Sequence, residues 1–551
     1  MAADLVILEA RVATMNPDRP HATAVAVKGE RIVDVGTDLA LRRWIGPRTQ
    51  VVAAGGRRLM PGFIDSHMHL LGYGLLLERV DLSGARSLSE LVRLVHERAA
   101  QLPPGAWVLG GGWDEEQLGG LPTRDWLDRA APDHPVLLAR HCYHVAAANT
   151  EALCRSGLWE RSSEIPGGRM DRDQGGRPTG ILRENAKEHA DRAVPPPTTD
   201  DLRRALKAAA AAAARFGITS IHSNDGQGFP LQVVYQVYRD LQAGPSPLPL
   251  RVWWDFAEED LEQAAALGWR TGLGDTWFRV GSVKFFADGS LGGRTAALRT
   301  SYADDPGNRG LLLWDRDSLA RRMGLALRLG FQVAVHAIGD AAAEQTLQAY
   351  DQAMASQSPW TEATGSRPGV ALLDPDHSVS RLRLIHCQVM DPGLWAEMAR
   401  LGAVAEVQPR FLASDYPMIE PRLGPARAAA AYAWRSLARM GIPMAFGSDC
   451  PVEPLNPMHA VYAAVTRHTM DGQPPGGWRP EERLSVAEAL AMHTRGGAFA
   501  VGEEQCKGQV APGFLADMVL LDRDPLTAEP SSLKDIAVDM TIAGGRVAFS
   551  R

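Results

Sequence analysis

Apolar residues in this chain fall into two kinds of run. Near both ends they alternate with polar ones: LVILEARVATM, AVAVKGERIVDVG and VVAAGGRRLMPG over residues 4–60, then ADMVLLD and AVDMTIAGGRVAFS near the close. Alternation punctuated by Gly or Pro marks short antiparallel strands. Strand-rich segments at both ends, around a different middle, predict one small β-sandwich assembled from residues 1–60 and 496–551.

The middle, 61–495, alternates solid apolar runs with helical stretches, the pattern of an α/β fold. Eight runs stand out: GFIDSHMH (62–69), ITSIHSND (218–225), LRVWWDF (250–256), VGSVKFFAD (280–288), FQVAVHA (331–337), LRLIHC (382–387), AVAEVQP (403–409) and PMAFGSD (443–449). Helices are expected between most of them, for example 317–330 and 428–440. Eight such units match a closed (β/α)₈ TIM-like barrel. The first spacing is anomalous, and a loop that long without structure would be exceptional. Residues 75–200 are therefore expected to form an α/β insertion at the barrel mouth, with strands of their own in AWVLGGGW and PVLLARH. The Pro195–Pro197 run marks its boundary, and the alanine-rich stretch Ala208–Ala214 reads as a surface or barrel helix.

Composition narrows the class without choosing a chemistry. At 551 residues, 45% hydrophobic and with a net charge of −7, the chain is an ordinary enzyme-like polypeptide long enough for more than one core. The mild acidity gives no reason to expect nucleic acid or an anionic membrane as partner. The five cysteines, Cys142, Cys154, Cys387, Cys450 and Cys506, include no CxxC pair, against a disulfide framework or a thiolate zinc site. The N-terminus lacks a basic region followed by a long apolar run, so a cytoplasmic enzyme acting on a small molecule is the expectation. A homodimer is admitted only on the general frequency of dimers.

Barrel enzymes place their chemistry at the C-terminal ends of strands. His67 and His69 close the first run, Lys284 lies late in the fourth, His336 and His386 end the fifth and sixth, and Asp449 ends the eighth. Residues two apart on a strand share a side, so His67 and His69 can share one cation, at Zn–N distances of about 2.0–2.1 Å. One strand-end histidine is usually a hydrogen-bonded structural residue. Five good nitrogen and oxygen ligands converging on one rim are a metal site.

Lys284 needs a separate account, because an ammonium cannot bind a cation. A neutral amine can take up CO₂ as a carbamate, whose two oxygens can bridge two metals, and burial among Val283, Phe285 and Phe286 favours the neutral form. The chain has six lysines against 52 arginines among its 58 basic residues, so a lysine in an apolar strand suggests that amine chemistry is wanted there. The alternative is a lysine paired with Asp288 or Asp449.

At these residues the sequence resembles the amidohydrolase superfamily of metal-dependent hydrolases. PGFIDSHMH is similar to its first-strand HxH motif and GSDCPV to its eighth-strand Asp motif. VKFFADGSLGGRTAAL, VHAIGD, GGGWDEE, PTGILRENA and GFLADMVLLDRDP resemble the branch that includes N-substituted formamide deformylase. The resemblance implies that His67, His69 and Asp449 hold one metal and that His336 and His386 hold a second. Carbamylated Lys284 would lie between them, with Zn²⁺ as the metal, one ion or two. It also implies a composite sandwich and an insertion after strand one. In RHCYHVAAANTEAL, Tyr143 stands where the branch usually has a glycine before the histidine, here His144.

The reaction this implies is hydrolysis of a non-peptide carbon–nitrogen bond, of the amide or formamide type, by a metal-activated hydroxide. Asp449 would accept the water proton and pass it to the leaving nitrogen. The rivals are a one-metal aminohydrolase acting on a cyclic substrate, with no need of a bridging carbamate, and a non-catalytic barrel scaffold. Lesser candidates are a substrate wall from Trp113, Asp114 and His144, with simple packing as the alternative for Trp113. His222 is a substrate contact or a support for the ligands. Asp288, Ser290 and Arg294 sit in a Gly-rich loop that could bind substrate. His141, His459, His468 and His493 lack strand-end placement and read as structural, and Cys387 and Cys450 as packing residues.

Overall fold

The computed structural model describes residues 2–140, 144–161, 163, 165–356 and 378–551. His141, Cys142 and Tyr143 lie outside the described residues. The chain divides into two compact units, Met1–Tyr73 with Leu206–Arg551, and Gly74–Ala205.

The larger unit is built on eight parallel strands: β1 (Phe63–Met68), β2 (Ile218–Asn224), β3 (Arg251–Ala257), β4 (Phe278–Phe286), β5 (Val333–Ala337), β6 (Arg383–His386), β7 (Val404–Val407) and β8 (Met444–Phe446). They hydrogen-bond in sequence order from β1 to β8. The barrel is nearly closed, because the seam is joined just beyond the strands. The Asp449 N–H donates to His67 O at 2.7 Å, and the His69 N–H donates to Cys450 O at 2.8 Å. Strands covered on both faces are buried at every residue rather than at alternate ones, as in β1, β6 and β7. The seam also explains Gly447: a Cβ there would sit 2.6 Å from His67 N, so only glycine lets the eighth strand approach the first.

Helices separate the strands. Arg316–Arg328 is capped by Asp315, whose side chain accepts from the Ser318 N–H, and leads to β5. Before β8 the expected single helix over 428–440 is not what forms. Residues up to Ala428 belong to a helical stretch from Pro409 that is kinked at Gly424, and a separate short helix runs Trp434–Arg439. Between them Tyr432 takes a left-handed backbone conformation, which ends helical continuity.

Two further sheets are made from the termini. One holds Arg31–Gly36, Ala24–Lys28, Leu5–Leu8 and Gln50–Ala53; the other orders Arg546–Ser550, Val538–Ala543, Met518–Leu521, Arg58–Pro61, Arg11–Ala13 and His21–Ala22. Met518–Leu521 pairs antiparallel with Arg58–Pro61, so C-terminal and N-terminal strands share one sheet. Leu5, Ile7, Val25 and Val27 from the first sheet meet Leu59, Met518, Leu520 and Ile542 from the second in one apolar cluster.

The smaller unit has a six-stranded sheet ordered Gly168–Arg172, Pro178–Glu184, Val145–Ala148, Val136–Arg140, Val108–Trp113 and Val80–Asp81. Its core includes Leu91, Val95, Val108, Trp113, Leu127 and Val136. Among the described residues no helix is long and apolar enough to cross a membrane.

Candidate metal centre

The C-terminal rim of the barrel gathers all six strand-end residues. His67 and His69 come from the end of β1, and their rings meet edge to face with centroids 5.4 Å apart. Both aim Nε2 at the same oxygen, Asp449 Oδ1, at 3.4 Å from His67 and 3.1 Å from His69. Lys284 Nζ lies 3.3 Å from His67 Nε2. The His386 ring lies 5.7 Å from that of His67 and 4.5 Å from that of His336, centroid to centroid. Ligand atoms of His67, His386 and Asp449 all fall within 4.8 Å of one another.

The protonation pattern is set by what holds the far side of each ring. His69 Nδ1 lies 2.8 Å from the Asn224 carbonyl, and His336 Nε2 lies 2.9 Å from the Gly289 carbonyl. A carbonyl only accepts, so each of those nitrogens carries a hydrogen. His386 Nδ1 lies 2.7 Å from Gln408 Oε1, and the Gln408 amide donates back to Glu406 O at 3.3 Å, which orients its oxygen toward the ring. At His69, Nε2 faces a carboxylate oxygen across 3.1 Å, a separation that a proton or a cation between them would hold. This residue set fits a divalent metal: imidazole lone pairs and a carboxylate converge, and each fixed histidine has the outer hydrogen bond that metal-binding histidines carry. His67 Nδ1 is buried without a hydrogen-bond partner.

Electrostatics agree. Burial alone would raise Asp449, yet the hydrogen bond from His69 and the nearby His386 and Lys284 outweigh it and hold the carboxyl below its ordinary value. Burial depresses His67 and His386 well below an ordinary imidazole, keeping both neutral and able to ligate. Burial would also lower His69, but the Asp449 hydrogen bond raises it. Lys284 is pushed down to about 8 by burial, against the opposing pull of Asp449 and Asp255. Its ammonium is thus close to giving up its proton at neutral pH, with Nζ 4.7 Å above the Phe286 ring. His386, Cys387 and Asp449 all hold positive φ, of 80°, 49° and 58°. Three strained residues at two strand ends are a concentration typical of working sites.

The lesser candidates scatter. Trp113 is fully buried in the smaller unit's core, its indole donating to Leu138 O at 2.8 Å. The substrate wall expected of it gives way to the packing alternative, because that core takes up the whole ring. Asp114 caps the short helix after it. His144 is 70% exposed, with Nδ1 3.0 Å from Glu184 Oε2. His222 is buried on β2, its Nδ1 3.4 Å from Arg383. Asp288 is buried and accepts from the N–H groups of Ala297, Ile338 and Gly339, with Oδ1 3.4 Å from His336 Nε2. Ser290 accepts within its own loop, from the Gly293 N–H. Arg294 is half-buried and paired with Asp304 at 2.8 Å. His493 packs between Phe63 and Phe446, and Cys387 and Cys450 are buried thiols.

Sequence reasoning missed several supports. Gln408 lies at the end of the seventh run, where the strand-end rule applied to the other strands would have found it. Asp65, two residues before His67 and so on its side of the strand, accepts from the Ser448 and His67 N–H groups. Burial raises it to about 7. Phe411 stacks on the His386 ring with an interplanar angle of 18°.

Known proteins bear on this arrangement. The amidohydrolase family model matches residues 50–549. YtcJ of Bacillus subtilis (strain 168), named as an amidohydrolase, is 34% identical over 98% of this chain and 98% of its own. The N-substituted formamide deformylase of Arthrobacter pascens is 26% identical over 100% of this chain and 98% of its own. Among solved structures, an uncharacterised metal-dependent hydrolase of Pyrococcus furiosus superposes with a TM-score of 0.74 and 29% identity, covering 95% of this chain and 100% of that one.

Proposed function

The chain belongs to the amidohydrolase family, and on that footing we propose that it hydrolyses a carbon–nitrogen bond of the amide or formamide type with two zinc ions. The observation that carries this reading is the convergence of His67 Nε2 and His69 Nε2 on one oxygen of Asp449, at 3.4 and 3.1 Å, a grouping that a cation would hold together. His67, His69 and Asp449 would hold one ion, and His336 and His386 the other, with Lys284 between the two. The bound metals would supply Lewis acidity, polarising a carbonyl and lowering the pKa of water toward 7.

The chain's own residues do the rest. Lys284, as neutral amine, would add its nitrogen to CO₂: an N–C bond forms, the nitrogen loses a proton to solvent, and the product is an anionic carbamate. Asp449, held ionised by its neighbours, accepts the proton of the attacking water and returns it to the leaving nitrogen, so that an amine departs rather than an amide anion. Gln408 and the carbonyls of Asn224 and Gly289 fix the tautomers and aim of His386, His69 and His336. The formamide type is suggested by the Arthrobacter relative, which is a deformylase by name.

A second reading, a one-metal aminohydrolase of a cyclic substrate, is favoured by the tight grouping of only His67, His386 and Asp449 within 4.8 Å. Metal content by plasma mass spectrometry, together with a panel of N-substituted formamides and amides, tests both. Two zinc ions per chain and release of acid and amine are expected. One ion per chain, with ammonia released from a cyclic substrate and Lys284→Ala still active, overturns the first reading in favour of the second.

A further inference from the structure

Beneath the candidate centre the barrel interior is charged where barrels are ordinarily filled by branched apolar side chains. Asp255 on β3, Arg383 on β6 and Glu406 on β7 are all fully buried. The Arg383 guanidinium grips Glu406 with two bonds, of 2.9 and 3.0 Å, and Asp255 at 2.9 Å. It also donates to Ser282 Oγ at 2.8 Å and to Ser66 O at 3.1 Å. Three of these contacts lie within two residues, along the chain, of the centre or its support. Ser282 precedes Lys284 by two, Glu406 precedes Gln408 by two, and Ser66 adjoins His67. Two carboxylates share one guanidinium, all three buried away from the surface, so the group carries one excess negative charge. Burial would raise Glu406, but Arg383 and His222 outweigh it and keep Glu406 below the ordinary range.

We propose that the Arg383–Asp255–Glu406 group is the electrostatic floor of the metal site, its sealed excess negative charge raising the affinity of the centre for divalent cations. The proposal rests on reading the centre as a metal site. A buried charge left without compensation is costly, and an interior with few nearby cations offsets it most directly by holding a metal above it.

The test separates charge from shape. Glu406→Gln and Asp255→Asn keep the outline of the side chain and remove the charge. Arg383→Lys keeps the charge and loses the two-pronged grip. Zn²⁺ alone is titrated into the metal-stripped full chain against a chromophoric chelator, and circular dichroism of each stripped variant verifies the fold. Both charge-removing variants are expected to weaken Zn²⁺ binding about tenfold or more, and Arg383→Lys to change it by less than about threefold while lowering Tm. Should Glu406→Gln fail to fold, Asp255→Asn carries the comparison. Zn²⁺ affinity within about threefold of the parent in the charge-removing variants, or an equal loss in Arg383→Lys, overturns the proposal. A parent chain that takes up no Zn²⁺ overturns the metal reading too, whereas the expected affinities without hydrolysis of any amide count against the proposed reaction alone.

Discussion

The barrel rim and the inserted unit carry similar residue types, and the fold uses them in opposite ways. On the rim, His67 and Asp449 are buried, pinned by neighbours and strained at Asp449, and they face one another across 3.4 Å. In the inserted unit, Trp113 is consumed by packing, while His144 stands 70% exposed beside Glu184. Convergence makes the difference. A closed parallel sheet brings strand ends to one ring, so a polar residue at each end meets the others whatever its distance along the chain. The inserted sheet is open, and among the described residues its polar strand ends pair locally, as Arg140 does with Glu115 and His144 with Glu184.

The sharpest way to break this contrast is Asp449→Asn. Its backbone bond to His67 O does not depend on the side chain, so the seam should hold and the circular dichroism should match the parent. Turnover on whichever substrate the panel identifies should fall by about 10³-fold or more, near the upper range for losing a general base. Near-normal turnover would leave the rim no more chemical than the insertion. Trp113→Ala should do the reverse. Removing a fully buried tryptophan costs about 3–5 kcal/mol, read as a lower thermal or denaturant midpoint, with zinc content unchanged. Loss of zinc from a still-folded Trp113→Ala protein would contradict the division of labour.

The same contrast explains which parts were legible in the sequence. His67 and His69 were readable because a strand repeats every two residues, and His336, His386 and Asp449 because each terminates an apolar run. Lys284 was readable as an oddity in an arginine-rich chain. What holds these groups was not: the carbonyls of Asn224 and Gly289 are backbone atoms, which every residue has, so no residue type announces them. Arg383, Asp255 and Glu406 were visible as charges inside LRLIHC, RVWWDF and AVAEVQP, but their pairing depends on which strands face each other across the barrel. The helix expected over 428–440 failed for a local reason, since Tyr432 breaks it with a left-handed backbone that alanine-rich surroundings do not suggest.

A smaller effect should come from the seam that holds the rim closed. His493 sits with its ring 5.9 Å from that of Phe63 and 5.4 Å from that of Phe446, at the two ends of the barrel sheet. Burial pushes its imidazole down to about 4. Between that value and the unfolded value near 6.5, the unfolded chain binds a proton that the folded one refuses. Stability is therefore intact above about pH 6.5 and is lost as pH falls toward 4, by roughly 3 kcal/mol. Thermal midpoints across that window should fall less steeply in His493→Gln than in the parent. Parallel curves would show that this histidine does not carry the acid sensitivity of the seam.

The smallest effect should belong to His144→Ala, and it sharpens the comparison from the other side. The His144–Glu184 pair is exposed on both partners, 70% and 59%, so solvent and salt screen it. Pairs of that kind contribute about 0–1 kcal/mol. Two readouts then bound the residue. The thermal midpoint should shift little, and by less as salt is raised, while kcat/KM should stay within about threefold of the parent because a screened surface pair does not hold a reacting atom. A tenfold fall in kcat/KM at unchanged stability would mean that His144 touches the substrate after all, and the inserted unit would then share the chemistry that the geometry now assigns to the barrel rim.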